Sequence, residues 1–179
     1  MSKQFRYFVL ALALGVSTVP HANAKKVQVP SAFKKIASSC NVPSKNLFAI
    51  ALTETETGLK NGRSSPWAWT INHKGKSYFY PNRKSLYIAA QRLIDRKQLL
   101  FDIGIMQVNW RWHKDRVKSL WEMTAPETNV RIGCEILREG YIARGNWIDA
   151  AAYYHSPGNK KAASRYKKRY KDKLARTYN

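Results

Sequence analysis

Carboxylates are scarce in this sequence: 11 Asp and Glu face 32 Lys and Arg in 179 residues, a formal net charge of +21. So few acids leave little material for an acidic cation-binding cluster, and each one can be weighed individually. Cysteine is scarcer still, and two residues, Cys40 and Cys134, exclude both a disulfide-dense miniature scaffold and a four-cysteine metal site. There is no Gly-rich phosphate loop, no nucleophile-elbow pattern and no Cys/His cluster at metal-ligand spacing. Beyond the first 24 residues the histidines are His73, His113 and His155, each alone in its segment, so neither a metal nor a cofactor is expected. Linkers rich in Pro, Gly or Ser are missing, as are repeats and low-complexity runs, which argues for a single domain.

What is present is an apolar fraction of 44%, too high for a disordered polycation, so the charge decorates a packed body. Such a charge attracts any anionic partner, whether nucleic acid, an acidic membrane or a carboxylate-bearing polymer, and does not choose among them. The N-terminus narrows the choice. Lys3 and Arg6 precede an apolar stretch from Phe8 to Val19, and Ala22-Asn23-Ala24 forms a small-x-small cleavage site. The stretch is shorter than the ~20 residues of a bilayer span, so residues 1–24 read as a signal peptide and residues 25–179 as one exported domain. Cleavage leaves no transmembrane segment and lowers the net charge only from +21 to +19. Export sets nucleic acid aside as the main partner. In an oxidising compartment Cys40 and Cys134 are a disulfide candidate; two buried thiols are the alternative.

Helical periodicity dominates the exported part. One short pattern follows Pro30 through Phe33, Ile36 and Ala37, and a second runs from Ser44 through Leu47, Phe48, Ile50, Ala51 and Leu52 to Gly58. Trp69–Asn72 and Ser77–Tyr80 flank His73-Lys74-Gly75-Lys76 and predict a hairpin. Helices are expected over Ser85–Gln98 and about 112–121, 127–141 and 146–154. In residues 160–179, Ala162, Tyr166, Tyr170, Leu174 and Tyr178 recur every four positions, a docking stripe opposite a solvated basic face. The fold expected is mainly α with a small β-hairpin excursion.

Asp95, Asp115, Glu122, Glu135, Glu139 and Asp149 read as solvated helix-surface acids, Asp172 lies in the basic tail, and Glu127 suits a first helical turn. Glu54, Glu56 and Asp102 stand out. Glu56 ends an apolar helix four residues after Leu52, a place where partial burial would raise its pKa and fit it to donate a proton near neutrality.

Four segments then occur in a recognisable order: Ala51-Leu52-Thr53-Glu54-Thr55-Glu56-Thr57-Gly58, Gly104-Ile105-Met106-Gln107-Val108-Asn109, Asn129-Val-Arg-Ile-Gly133 and Ala151-Ala152-Tyr153-Tyr154-His155-Ser156-Pro157-Gly158. Together they resemble the soluble-lytic-transglycosylase domain family, of lysozyme-like fold, over about residues 30–160. The insertion Pro66–Asn72 is similar to the subgroup found with conjugation and type IV secretion machinery; its tryptophans suit wall contact or core packing equally.

The resemblance implies cleavage of the β-1,4 bond between N-acetylmuramic acid and N-acetylglucosamine of peptidoglycan, in the periplasm, by a monomer. A single Glu protonates the glycosidic oxygen, then deprotonates the muramyl 6-hydroxyl to close a 1,6-anhydro ring. It assigns the catalytic role to Glu56, with Glu54 in the alternative register. Thr57, Met106, Gln107, Asn109, Tyr154 and His155 fall at substrate-binding positions. Thr57 stands where the family has Ser, and His155 where it has Asn. Asp102 is either a brace for the Gly104–Asn109 segment or a second acid that activates water, which would make the protein a lysozyme-like hydrolase. A non-catalytic peptidoglycan-binding scaffold of a secretion apparatus is the remaining alternative.

Overall fold

The computed structural model describes residues 25–58 and 64–179, so the expected signal peptide lies outside the described residues. Strand β1 (Val27–Gln28) leads through Pro30 into α1 (Ser31–Ser39), which buries Phe33, Ile36 and Ala37. Helix α2 (Ser44–Thr55) carries an unbroken buried run, Leu47 to Leu52, each residue at most 2% exposed. A helix apolar on every side belongs at the centre of a core. Helices α1, α6 and α8 pack around it.

The pattern expected to run to Gly58 stops at Thr55. Glu56 takes an extended ψ of 128°, and β2 (Glu56–Gly58) pairs antiparallel with β3 (Ser64–Pro66). The threonines at 53, 55 and 57 favour this switch, because β-branched side chains lose little in a strand and are restricted in a helix. The expected hairpin forms as β4 (Thr70–His73) and β5 (Lys76–Phe79), turning through Lys74 and Gly75, both in the left-handed region. After α3 (Arg83–Asp95), capped by the Asn82 side chain, β6 (Phe101–Ile103) and β7 (Val108–Asn109) extend the hairpin to a four-stranded sheet of order β5-β4-β6-β7.

The single helix expected near 112–121 is broken into α4 (Trp110–His113), a 3₁₀ turn (Lys114–Arg116) and α5 (Leu120–Met123). Val117 is extended, and the Ser119 hydroxyl accepts from the Glu122 backbone N–H at 3.1 Å, starting a new helix. Helices α6 (Pro126–Arg144), α7 (Trp147–His155) and α8 (Lys160–Arg176) follow, and β8 (Thr177–Tyr178) returns parallel to β1. Tyr166 and Tyr170 of the predicted stripe are fully buried in the docked face of α8. Among the described residues no helix is long and apolar enough to cross a membrane.

A disulfide joins Cys40, at the end of α1, to Cys134 in α6 across a sequence separation of 94. Closing so long a loop removes conformational freedom from the unfolded chain, worth about 4 kcal/mol. Thermal unfolding with and without reductant should therefore differ by roughly 10 °C.

Candidate active site

Helix α2 ends at a cleft of about 830 Å³. Its walls are the tip of α2, the β4–β5 hairpin, β6 and β7, α4, the middle of α6, the end of α7 and one residue of α8. Glu54, Asp102, Gln107, Asn109, Tyr154 and His155 line it together, although they come from three separate stretches of sequence. Glu56, Thr57 and Met106 are not among the lining residues.

Successive helical residues turn by about 100°, so side chains two apart point to nearly opposite sides. Glu54 lies four residues after the buried Ile50 and enters the cleft, with a side chain only 11% exposed. The Tyr166 hydroxyl of α8 donates to its Oε1 at 2.7 Å, and His155 Nδ1 lies 3.9 Å from the same oxygen. The His155 ring stacks on Tyr166 at 4.4 Å between centroids. Burial pushes the Glu54 carboxyl up to about 7, against the hydrogen bond from Tyr166 and the charge of Arg169, while the neighbouring Asp102 adds to the rise. Burial and Arg169 hold His155 below its usual range, so at neutral pH it is an uncharged neighbour.

Glu56, the residue to which the sequence assigned catalysis, sits in a different setting. It pairs with Lys173 and with Arg176, the latter at 2.9 Å, and accepts a hydrogen bond from the Ser64 hydroxyl. Burial works against its charged form, but the hydrogen bonds from Lys173 and Ser64 and the charges of Lys173 and Arg176 outweigh it and hold the carboxyl below its ordinary range. An ionised carboxylate saturated with cations ties β2 and β3 to α8 and has no proton to give. Thr57 is likewise a strand residue, its hydroxyl donating to the Ser65 carbonyl at 3.2 Å. The hydroxyl beside the cleft acid is that of Thr55, buried, donating to the Ile105 carbonyl at 2.9 Å and sharing that proton with the Ala51 carbonyl of its own helix at 3.1 Å.

That contact fixes α2 against the Gly104–Gln107 turn, and the turn is built around Asn129. Gly104 has φ +84°, and a Cβ there would overlap the Asn129 amide. Asn129, fully buried at the start of α6, donates to the Ile103 and Met123 carbonyls at 3.0 and 3.3 Å and accepts from the Met106 N–H at 2.9 Å. Met106 is fully buried, behind the cleft rather than in it, and packs where a Cβ on Gly133 would come within 2.8 Å of its own Cβ. The spacing Asn129-x-x-x-Gly133 thus holds the turn from one helix face. Gln107, at φ +49°, donates to the Gly104 carbonyl at 2.8 Å, and the Tyr154 hydroxyl donates to the Met106 carbonyl at 2.6 Å.

Asp102 braces the segment and also faces the cleft. It lines the cleft, and its Oδ1 accepts from Asn109 Nδ2 at 2.8 Å. Burial raises its carboxyl, with the Asn109 hydrogen bond opposing. The Asn109 Oδ1 is buried without a hydrogen-bond partner among the described residues. Among the described residues no group of three His, Cys, Asp or Glu is placed to hold a metal ion.

Tyr166 and Arg169 escaped the reading of the sequence as site residues. The four-residue stripe had marked Tyr166 as a docking residue, which it is; nothing in the periodicity shows that its hydroxyl reaches the cleft.

With this geometry in place, comparison with known proteins adds one match. The family model for the transglycosylase SLT domain matches residues 31–176. No curated protein and no solved structure matches the chain. A match that takes in α2, the Gly104–Gln107 turn, Asn129, and helices α7 and α8 covers every wall of the cleft. The chain belongs to the transglycosylase SLT domain family, lysozyme-like and mainly α, whose members are lytic transglycosylases acting on peptidoglycan.

Proposed function

We propose that this protein cleaves the β-1,4 bond between N-acetylmuramic acid and N-acetylglucosamine, with Glu54 rather than Glu56 as the catalytic acid and base, and that the muramyl product carries a 1,6-anhydro ring. The observation that supports this is the carboxyl of Glu54, raised to about 7 in the cleft. A group of that pKa gives its proton to the departing glycosidic oxygen and, once ionised, takes one from the muramyl 6-hydroxyl. The attack is intramolecular, so proximity supplies much of the rate.

Asp102 favours a second reading, hydrolysis of the same bond, because it faces the same cleft as Glu54. Paired carboxylates in which one activates water define inverting glycosidases. The transglycosylase reading is preferred because Asp102 is engaged by Asn109 and its charge opposes ionisation of Glu54, which suits an electrostatic partner that keeps the acid protonated.

The leader sequence and the Cys40–Cys134 disulfide support an exported, periplasmic enzyme, acting as a monomer at the cell wall. The Pro66–Asn72 insertion, which delivers Asn72 to the cleft, supports service to a conjugation or type IV secretion apparatus that opens the wall locally. Digestion of purified sacculi followed by mass spectrometry tests the chemistry. Anhydromuropeptides are expected, and Asp102→Asn should still yield them, with the alkaline limb of activity moved to lower pH because a charge that raises Glu54 is gone. Reducing-end products lost in Asp102→Asn would assign hydrolysis.

A further inference from the structure

Basic residues abound in this chain, yet Arg169 of α8 is the single Lys or Arg among the described residues that line the cleft. It is exposed, and among the described residues it has no carboxylate within ion-pair distance. Lys167 and Lys173, its neighbours on the same helix, are engaged by Asp149 and Glu56. The guanidinium lies 5.5 Å from the centroid of the Tyr166 ring, the same tyrosine that holds Glu54, so it sits beside the reacting group. For the catalytic acid this cation is a handicap, since its charge favours the ionised form of Glu54. The scissile bond itself is uncharged and gives a guanidinium nothing to bind. A positive group in this place is useful if the substrate brings an anion close to the bond.

Peptidoglycan does so on the muramyl side, where the stem peptide carries carboxylates or, where no peptide is attached, the ether-linked lactyl group ends in a free one. We infer that Arg169 is a specificity residue that pairs with a carboxylate on the muramyl substituent and so registers that sugar beside Glu54. The inference rests on the proposed reaction and names what the cleft reads beyond the glycan chain. Arg suits this role because its planar fork binds a carboxylate through two parallel hydrogen bonds.

Three glycan preparations separate the outcomes: strands bearing stem peptides, strands stripped to the free lactyl carboxylate, and stripped strands whose lactyl carboxylate has been amidated. The wild-type protein should cleave at least one charged preparation with kcat/KM roughly ten- to a hundredfold above the amidated one. The advantage should lie mostly in KM. Preference for peptide-bearing strands places the recognised carboxylate on the stem, and preference for stripped strands places it on the lactyl group. Arg169→Gln should bring the preparations level, whereas Arg169→Lys should keep part of the preference. Loss of the Arg169 charge also raises Glu54, but that effect shifts the pH profile equally on all three and is separable. Equal cleavage of all three by the wild-type protein, or an unchanged preference in Arg169→Gln, overturns the inference while leaving the proposed reaction intact. Failure to cleave any preparation overturns the reaction itself.

Discussion

Replacing Glu54 by Gln should lower the rate of sacculus cleavage roughly 10³-fold, the scale of a lost general acid and base, without loss of the fold. Gln keeps the volume and the acceptor for the Tyr166 hydroxyl, so the helix end and the stacked His155 stay in place. Glu56→Gln should do the reverse. It removes the charge that holds Lys173, Arg176 and Ser64 together and costs about 1–2 kcal/mol of stability, while soluble product continues to be released. Rates and melting temperatures of the two variants, measured side by side, decide between the acids. An inactive but stable Glu56→Gln would return catalysis to the residue that the sequence favoured.

The same contrast has a pH signature. The wild-type rate should fall as pH rises through about 7, where Glu54 loses the proton it must donate. Because the folded protein holds Glu54 near 7 and the ordinary value is 4.5, the folded state binds the extra proton between those pH values. Stability therefore declines as pH rises through that window, by up to about 3 kcal/mol. Glu54→Gln is spared this loss, so its melting temperature should gain on that of the wild type at pH 8 and not at pH 4. Glu56 has the opposite sign: its lowered carboxyl adds stability above the ordinary range that is lost on acidification.

The second large effect is expected at a residue that touches no substrate. Asn129→Ala deletes the side chain that answers the Ile103 and Met123 carbonyls and the Met106 N–H, all in a buried place. Unpaired buried groups plus the cavity should cost about 3–5 kcal/mol, or roughly 10 °C in melting temperature. Activity should fall further than stability explains, since the Gly104–Gln107 turn carries the carbonyls that position Gln107 and Tyr154. Assaying cleavage well below the variant's melting temperature separates the two. Full activity there would show that the turn holds its shape without Asn129.

Much of the architecture was legible beforehand because it depends on local rules. Pro30, the apolar run of α2 and the tyrosine stripe of α8 each gave a helix from its own periodicity, and Lys74-Gly75 gave a hairpin turn. The strands that complete the sheet, β6 and β7, and the ladder of β2 with β3 were not legible. They are two or three residues long and exist only because a partner strand supplies their hydrogen bonds. The break at Val117 was hidden for a similar reason, since a helical pattern of side chains survives a local change of backbone.

The sequence by itself determined an acid-poor, strongly basic chain with one helical body, and a short roster of carboxylates from which any acid had to come. Of two glutamates separated by one threonine it favoured Glu56. The structure gives the two acids different surroundings where α2 stops, through what α8 brings to its end: Tyr166, 112 residues along the chain from Glu54, and Arg176, 120 residues from Glu56. Burial raises the first carboxyl to about 7 against the hydrogen bond from Tyr166, whereas Lys173, Ser64 and Arg176 hold the second below its ordinary range. A pKa is set by desolvation and nearby charge in three dimensions, and neither is written in the spacing of residues along a helix.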